Sequence, residues 1–234
     1  DWASIAANPL SHAGIIRYVG SRSERIPLTV NIGVPPAVAL TAAGSFLRTI
    51  VPLGSDELGI AGALQGYPVE IVPAKTVDAF AIAQAEWVIE GYWLPEKIWE
   101  SEGAEKLRQA DIDPFFPEWT GYLGRSRQVY KFQATAITHR RDLPIFWAPL
   151  AHSYNHDHMI NCFREACFLE LAERMAPGLV VDVTIPIAFG SFGGVVFQVR
   201  KRRPLDEGLQ RDLLLNALAA SPGLPLASVV DEDV

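Results

Sequence analysis

The sequence predicts an α+β fold, with strands gathered in its first part and helices mixed with strands in its second. Three observations predict it. Runs rich in β-branched and aromatic residues recur between Gly and Pro from Ile26 to Trp147. After Pro149 the apolar residues change to helical spacing, with Ile160, Phe163, Cys167 and Leu171 three and four residues apart. The 234 residues, 49% hydrophobic and 20% charged, suffice to bury a core without staples. A soft boundary is therefore placed near residue 150, dividing 1–150 from 151–234. The irregular connections between strands favour a barrel or sandwich in the first part. No internal repeat is found.

Along the chain, His12 to Val19 reads as a short helix and Ile26 to Ile32 as a buried strand ending at Gly33. A turn follows at Pro35-Pro36, and then a small, apolar stretch from Ala37 to Leu47. Ser55 is the expected cap of a helix carrying Leu58, Ala61 and Leu64, which Gly66 stops. Strands are expected at Val69–Val72, Trp87–Glu90, Val129–Ile137 and Ile145–Trp147. The helix after Pro149 should end at Pro177-Gly178. Leu179–Ile185 and Gly194–Val199 then read as strands, and Gly190 to Gly194 as the turn between them. Pro204 sits where a first helical turn tolerates proline, with Leu205, Leu209, Leu213 and Leu214 on one face of a last helix before Val229-Val230.

Composition narrows the function. A net charge of −7 and an isoelectric point near 5.2 give no general attraction to phosphate backbones, and the dense basic run Arg200-Lys201-Arg202-Arg203 is short. Nucleic acid is not an expected partner. No apolar run reaches the roughly 18–20 residues of a spanning helix, and no leader pattern opens the chain, so a cytoplasmic protein without a membrane span is expected. Cys162 and Cys167, five residues apart in a helical stretch, face different sides and are expected as two buried thiols rather than a bridge. The first residue, Asp1, and the ending Asp231-Glu232-Asp233-Val234 suggest a piece of a longer chain.

The most unusual local text is Asp113-Pro114-Phe115-Phe116-Pro117-Glu118-Trp119-Thr120-Gly121-Tyr122, two carboxylates set between prolines and aromatics. Apolar surroundings strip water from a carboxyl group and favour its neutral, proton-donating form. A surface loop with aromatic anchors accounts for the same residues. Glu57 opens a glycine-rich helix, where an acid either complements the helix dipole or ligates a metal. His12, near a helix start, is able to ligate a metal or contact an anion. His152, His156 and His158 look superficially like a transition-metal cluster. However, His156 and His158 share a face only on a strand and His152 and His156 only on a helix, which favours a helix-entry loop instead. His139 fits turn chemistry. Gly190-Ser191-Phe192-Gly193-Gly194 lacks the lysine and helix start of a phosphate-binding loop.

Five segments in order carry a resemblance. Pro9 to Arg17 is similar to a Pro-x-x-His-x-Gly-Ile-Ile-Arg motif, and Ile32 to Ala37 to a Gly-x-Pro-Pro-Ala turn. Glu57 to Leu64 is similar to Glu-x-Gly-x-x-Gly-Ala-Leu. Val69–Thr76 and Glu86–Gly91 match the strands that follow, and Asp113–Tyr122 matches Glu-Gly-Pro-Phe-Gly-Glu-x-x-Gly-Tyr. Together they resemble the UbiD-type decarboxylases, a family that includes ferulic acid decarboxylases and uses prenylated flavin mononucleotide.

The resemblance implies a split β-barrel like that of flavin reductases, followed by the start of a C-terminal α/β oligomerisation region, and a homo-oligomer of two or six chains. It implies reversible non-oxidative decarboxylation of an aromatic or α,β-unsaturated acid, with the prenylated flavin as electron sink. Glu118 would return a proton to the substrate carbon, and Asp113 would be the second acid, paired with an arginine. His12 and Glu57 would ligate a divalent ion, manganese foremost with potassium also considered, and Ser11 would contact the cofactor. The family's upstream Asn-x-x-x-Tyr-Arg motif, source of a third ligand and of that arginine, is not in this sequence, and Pro95 to Ile112 is an added charged segment. Two other readings share parts of this pattern: a plain-flavin oxidoreductase on the same barrel, and a non-catalytic subunit of a carboxylase.

Overall fold

A computed structural model of the chain describes residues 2–5, 25–43, 50–51, 55–101, 103–117, 123–146, 154–188, 193–221 and 224–233. The fold is a mixed α and β one in two compact units. One unit contains Asp1–Pro35 and Val69–Ala148, and the other Pro36–Pro68 and Pro149–Val234. Among the described residues no sheet closes on itself. No helix among them is long and apolar enough to cross a membrane.

The first unit is built on a four-stranded antiparallel sheet. Its strands are β1 (Trp2–Ile5), β2 (Ile26–Ile32), β5 (Trp87–Trp99) and β8 (Gln128–His139), in the order β1-β8-β5-β2. Strand β5 runs on through Pro95 because the pairing with β8 shifts register between Trp93 and Lys97, a bulge where proline's missing N–H costs no ladder bond. Trp93 packs edge-on against Tyr130 at a centroid distance of 5.7 Å, with Ile26 and Leu28 against the pair. A two-stranded sheet, β3 (Ile71–Pro73) with β4 (Phe80–Ile82), is tied to β2 by side chains. Thr29 Oγ1 donates to the Phe80 carbonyl at 2.7 Å, and Ile82 N–H donates to Asn31 Oδ1 at 2.9 Å.

Beyond β2, Gly33 has φ +70, and a Cβ there would lie 2.6 Å from the Glu86 side chain. The Gly-x-Pro-Pro turn therefore needs its glycine for both conformation and space. Glu86 in turn pairs with Arg140 at 2.8 Å and accepts Ile145 N–H at 3.2 Å. The Arg140 hydrogen bond is the main reason that its carboxyl group is held below the ordinary value. The strand expected at Ile145–Trp147 is not formed at Ile145 and Phe146; Trp147 lies outside the described residues. Leu143 turns the chain at φ +39, and side chains then claim the backbone of Ile145, whose carbonyl accepts Trp87 Nε1–H at 3.1 Å.

The second unit packs helices α1 (Pro36–Ala43), α2 (Glu57–Gln65), α4 (Tyr154–Met175) and α5 (Leu209–Ala220) with a three-stranded sheet; α3 (Ala104–Gln109) belongs to the first unit. In that sheet β10 (Val195–Val199) runs antiparallel to β9 (Val180–Thr184) and parallel to β11 (Ala227–Asp231). The core joins Phe168, Leu171 and Ala172 of α4 to Val195, Phe197 and Val199 of β10 and Leu213 and Ala217 of α5. Phe168 and Phe197 meet edge to face at 5.9 Å.

Three expectations are corrected in this unit. Cys167 is buried but Cys162 is exposed, because only the former shares the face of Ile160 and Phe168. Asp56, not Ser55, caps α2: its side chain accepts Leu58 N–H at 3.0 Å. Pro204 opens a separate 3-10 turn, Pro204–Asp206, and α5 starts only after Gly208, whose φ of +101 breaks the run.

Candidate functional site

Residues 115–117 and 123–125 form a hairpin of β6 (Phe115–Pro117) and β7 (Leu123–Arg125), with Phe115 opposite Arg125 and Pro117 opposite Leu123. Prolines are tolerated here because a two-stranded ribbon is all edge. At the open end Ser126 N–H donates to the Pro114 carbonyl at 2.9 Å. Ser126, 2% exposed, also accepts the Ser101 hydroxyl at 2.6 Å. Asp113 stands at the same end, where its Oδ2 accepts Arg125 Nη2–H at 2.7 Å. Glu118 lies outside the described residues.

A cavity of about 520 Å³ opens beside this end of the hairpin, lined by Trp99, Arg108, Ile112, Asp113, Pro114 and Arg125 among others. Its wall mixes an aromatic ring with opposite charges. Arg108 lies over the Trp99 ring at 5.5 Å, and Trp99 Nε1–H donates to Glu105 at 3.0 Å. The added segment, expected only as charged, thus supplies a short helix and half of the residues that line the cavity. Asp111, at φ +57, turns the chain from the helix into the acidic segment.

Glu57 occupies the first turn of α2, exposed and with no ion-pair partner among the described residues. An unpaired carboxylate is a ready hard-oxygen donor, and with an imidazole it fits a divalent cation. Ser11 and His12 lie outside the described residues, so no geometry joins them to Glu57. Among the described residues, no group of three or more His, Cys, Asp and Glu is placed to hold a metal. His156 and His158 fall inside α4 rather than in an entry loop, while His152 lies outside the described residues. His139 closes β8, its Nδ1 at 2.6 Å from the Arg140 carbonyl and its ring 5.0 Å from that of Trp87.

Sequence reasoning did not find Arg125, Arg108 or Trp99. No signal in the sequence pointed to them.

The family model described as "UbiD: 3-octaprenyl-4-hydroxybenzoate carboxy-lyase Rift-related domain" matches residues 4–152. A gallate decarboxylase of Lactiplantibacillus plantarum is 35% identical over 226 residues, covering 93% of this chain and 44% of that protein. Among solved structures, the UbiD-class enzyme HmfF from Pelotomaculum thermopropionicum, an evolved dimeric form in complex with prFMN, superposes with a TM-score of 0.83 at 27% identity, covering 100% of this chain and 50% of that one. The 3,4-dihydroxybenzoic acid decarboxylase AroY of Klebsiella pneumoniae gives a TM-score of 0.80 at 31% identity, covering 99% of this chain and 46% of that one. The chain thus spans about half the length of the relatives it matches.

Proposed function

The chain belongs to the UbiD family of carboxy-lyases, and on that premise we propose that the full-length protein is a non-oxidative, reversible decarboxylase of phenolic benzoic acids that uses prenylated FMN. One observation carries the proposal: the family match over residues 4–152 contains Ser11, His12, Glu57, Asp113 and Glu118 together. The gallate and 3,4-dihydroxybenzoic acid decarboxylases among its relatives favour ring hydroxyls on the substrate. So does a cavity that sets Trp99 among charged side chains. In this reading the four-stranded sheet is part of a split barrel within 1–150, and 151–234 begins a C-terminal region through which chains associate.

When bound, the prenylated flavin supplies an electron sink for the bonding pair left by departing carbon dioxide. The protein's own residues bind, orient and move a proton. Glu57 and His12 would hold a divalent cation, for which manganese suits the oxygen and imidazole donors; that charge would offset the phosphate of the cofactor, which Ser11 would contact. Glu118 would carry the proton returned to the ring carbon, and Asp113, which accepts a hydrogen bond from Arg125, would supply the second carboxylate.

The test is Glu118→Gln in the full-length protein supplied with mature cofactor. General acid catalysis contributes about 10²–10⁴-fold, so kcat for a phenolic benzoate should fall by at least about 10²-fold while the cofactor absorbance spectrum is retained. Equal rates would remove Glu118 from this role. A plain flavin spectrum with nicotinamide oxidation would overturn the whole reading.

A further inference from the structure

We propose that a cavity in the second unit binds a small carboxylate carrying an apolar body, with the Arg202 guanidinium as its anion contact. The cavity, of about 490 Å³, lies where α4 ends and is lined by Met175, Ala176, Leu179, Arg202, Asp206 and Leu209 among others. Its volume is within the roughly 300–1,000 Å³ of small-molecule sites. The floor is apolar: Ala176 and Leu179 are buried, and Met175 and Leu209 pack half-buried against the core of the unit. None of these residues belongs to the unit that carries the acidic hairpin.

The basic run Arg200-Lys201-Arg202-Arg203, left unused by the decarboxylase reading, supplies the charge. Arg200 pairs with Glu232, Lys201 with Glu207 at 3.1 Å and Arg203 with Asp206 at 2.9 Å. Arg202 is exposed and pairs with no carboxylate among the described residues. Asp206, the acid of the lining, is 5% exposed and fully engaged. Its Oδ2 accepts the N–H groups of Arg202 and Arg203 at 2.9 and 3.0 Å, and its Oδ1 accepts the Arg203 guanidinium at 3.1 and 2.9 Å. Asp206 thus fixes the backbone of Arg202 and leaves its guanidinium without a counter-charge.

The facing rim is equally fixed. Leu179 N–H donates to the Ala176 carbonyl at 3.1 Å, and the Leu179 carbonyl accepts Arg200 N–H at 2.8 Å. Between them Gly178, at φ +72, carries no side chain, and Arg202 Nη1 would lie 3.6 Å from a Cβ built there. The guanidinium therefore sits over the bare turn that closes α4 rather than out in solvent. A planar fork of donors matches a carboxylate bidentately. The apolar floor beside it favours a hydrocarbon body, so the arrangement selects a ligand with both parts.

The test uses the full-length protein with octanoate as the probe and amide exchange over residues 175–179 and 202–209 as the readout. Octanoate should slow exchange there saturably, whereas acetate, lacking the body, and 1-octanol, lacking the charge, should need at least about 10-fold higher concentrations. Arg202→Gln should weaken octanoate binding about 10-fold and leave exchange without ligand unchanged, because Arg202 is exposed and its guanidinium holds no other carboxylate. Arg202→Lys, which keeps the charge but not the fork, should fall between. Equal protection in Arg202→Gln would overturn the proposal, and so would acetate acting as strongly as octanoate, the mark of an adventitious anion. Amides that octanoate leaves unchanged would overturn it too, whether the cavity is empty or filled by protein. Octanoate is not aromatic and turnover is not read, so failure here leaves the decarboxylase reading standing, and failure of that reading leaves this site untouched.

Discussion

Glu90 fastens a loop of the first unit to its central sheet. It is 1% exposed on β5, and its carboxylate accepts Lys75 N–H at 2.8 and 2.9 Å, Thr76 N–H at 2.6 Å and the Thr76 hydroxyl at 2.7 Å. Burial pushes the acid up, but these donors more than offset it and hold it below its ordinary 4.5. A carboxyl group depressed in the folded state stabilises fully above its unfolded value, and that stabilisation is lost as pH falls through the folded value. In Glu90→Gln an amide NH₂ would replace one of the two carboxylate oxygens, so part of this donor set would lose its acceptor and the rest its charged one, at a cost of about 1–3 kcal/mol near pH 7. Denaturant midpoints should show that loss at pH 7 and a smaller difference from wild type below pH 4.5. The neighbouring Gly91 is equally constrained: a Cβ would lie 2.2 Å from the Gln133 carbonyl and 2.7 Å from the Phe132 ring. Gly91→Ala should cost about 1–3 kcal/mol by overpacking, read from the same unfolding curves.

Helix α2 illustrates what a whole element adds. Asp56 caps its start, Gly66 in the left-handed region with φ 83 closes it, and Gly66 N–H returns to the Gly62 carbonyl at 2.9 Å. Asp56→Ala should destabilise the helix by about 0.5–2 kcal/mol, seen as faster amide exchange over Glu57–Ala61; unchanged exchange would show that the cap is redundant. The end at Gly66 was legible because glycine has few competitors there, whereas Ser55 and Asp56 are both good caps and only the backbone angles choose between them. Likewise β2 and β8 were legible from β-branched runs. The tail of β5 was hidden by Pro95, which reads as a breaker unless a bulge is known, and β4 and α3 were too short to show a period. At the site, the resemblance pointed to Asp113 and Glu57, but the partner of Asp113 was out of reach. A five-residue spacing across two prolines does not fix a hairpin register, so nothing in the sequence singled out Arg125 from its neighbours Arg127 and Arg108.

At the scale of the molecule, the proposed metal and flavin should act as linked stabilisers, because the proposed ligands His12 and Glu57 are far apart in sequence and an unfolded chain would not hold them to one ion. A ligand bound solely by the native state adds about 2.7 kcal/mol when present at 100 times its Kd. For a domain of about 150–250 residues each kcal/mol moves Tm by about 2–4 °C, so saturating Mn²⁺ with prenylated FMN should raise Tm of the full-length protein by about 5–10 °C. The position of Glu57 makes this a clean test. It is exposed and has no ion-pair partner among the described residues, so Glu57→Gln should leave the metal-free Tm close to wild type. Asp56→Ala, by contrast, should lower it. If Glu57 holds the metal, the Mn²⁺-dependent rise should vanish in Glu57→Gln and in His12→Ala while the rise from excess flavin alone survives in part. An equal Mn²⁺-dependent rise in Glu57→Gln would mean that the ion is held elsewhere, and the first turn of α2 would keep only its helix-dipole role.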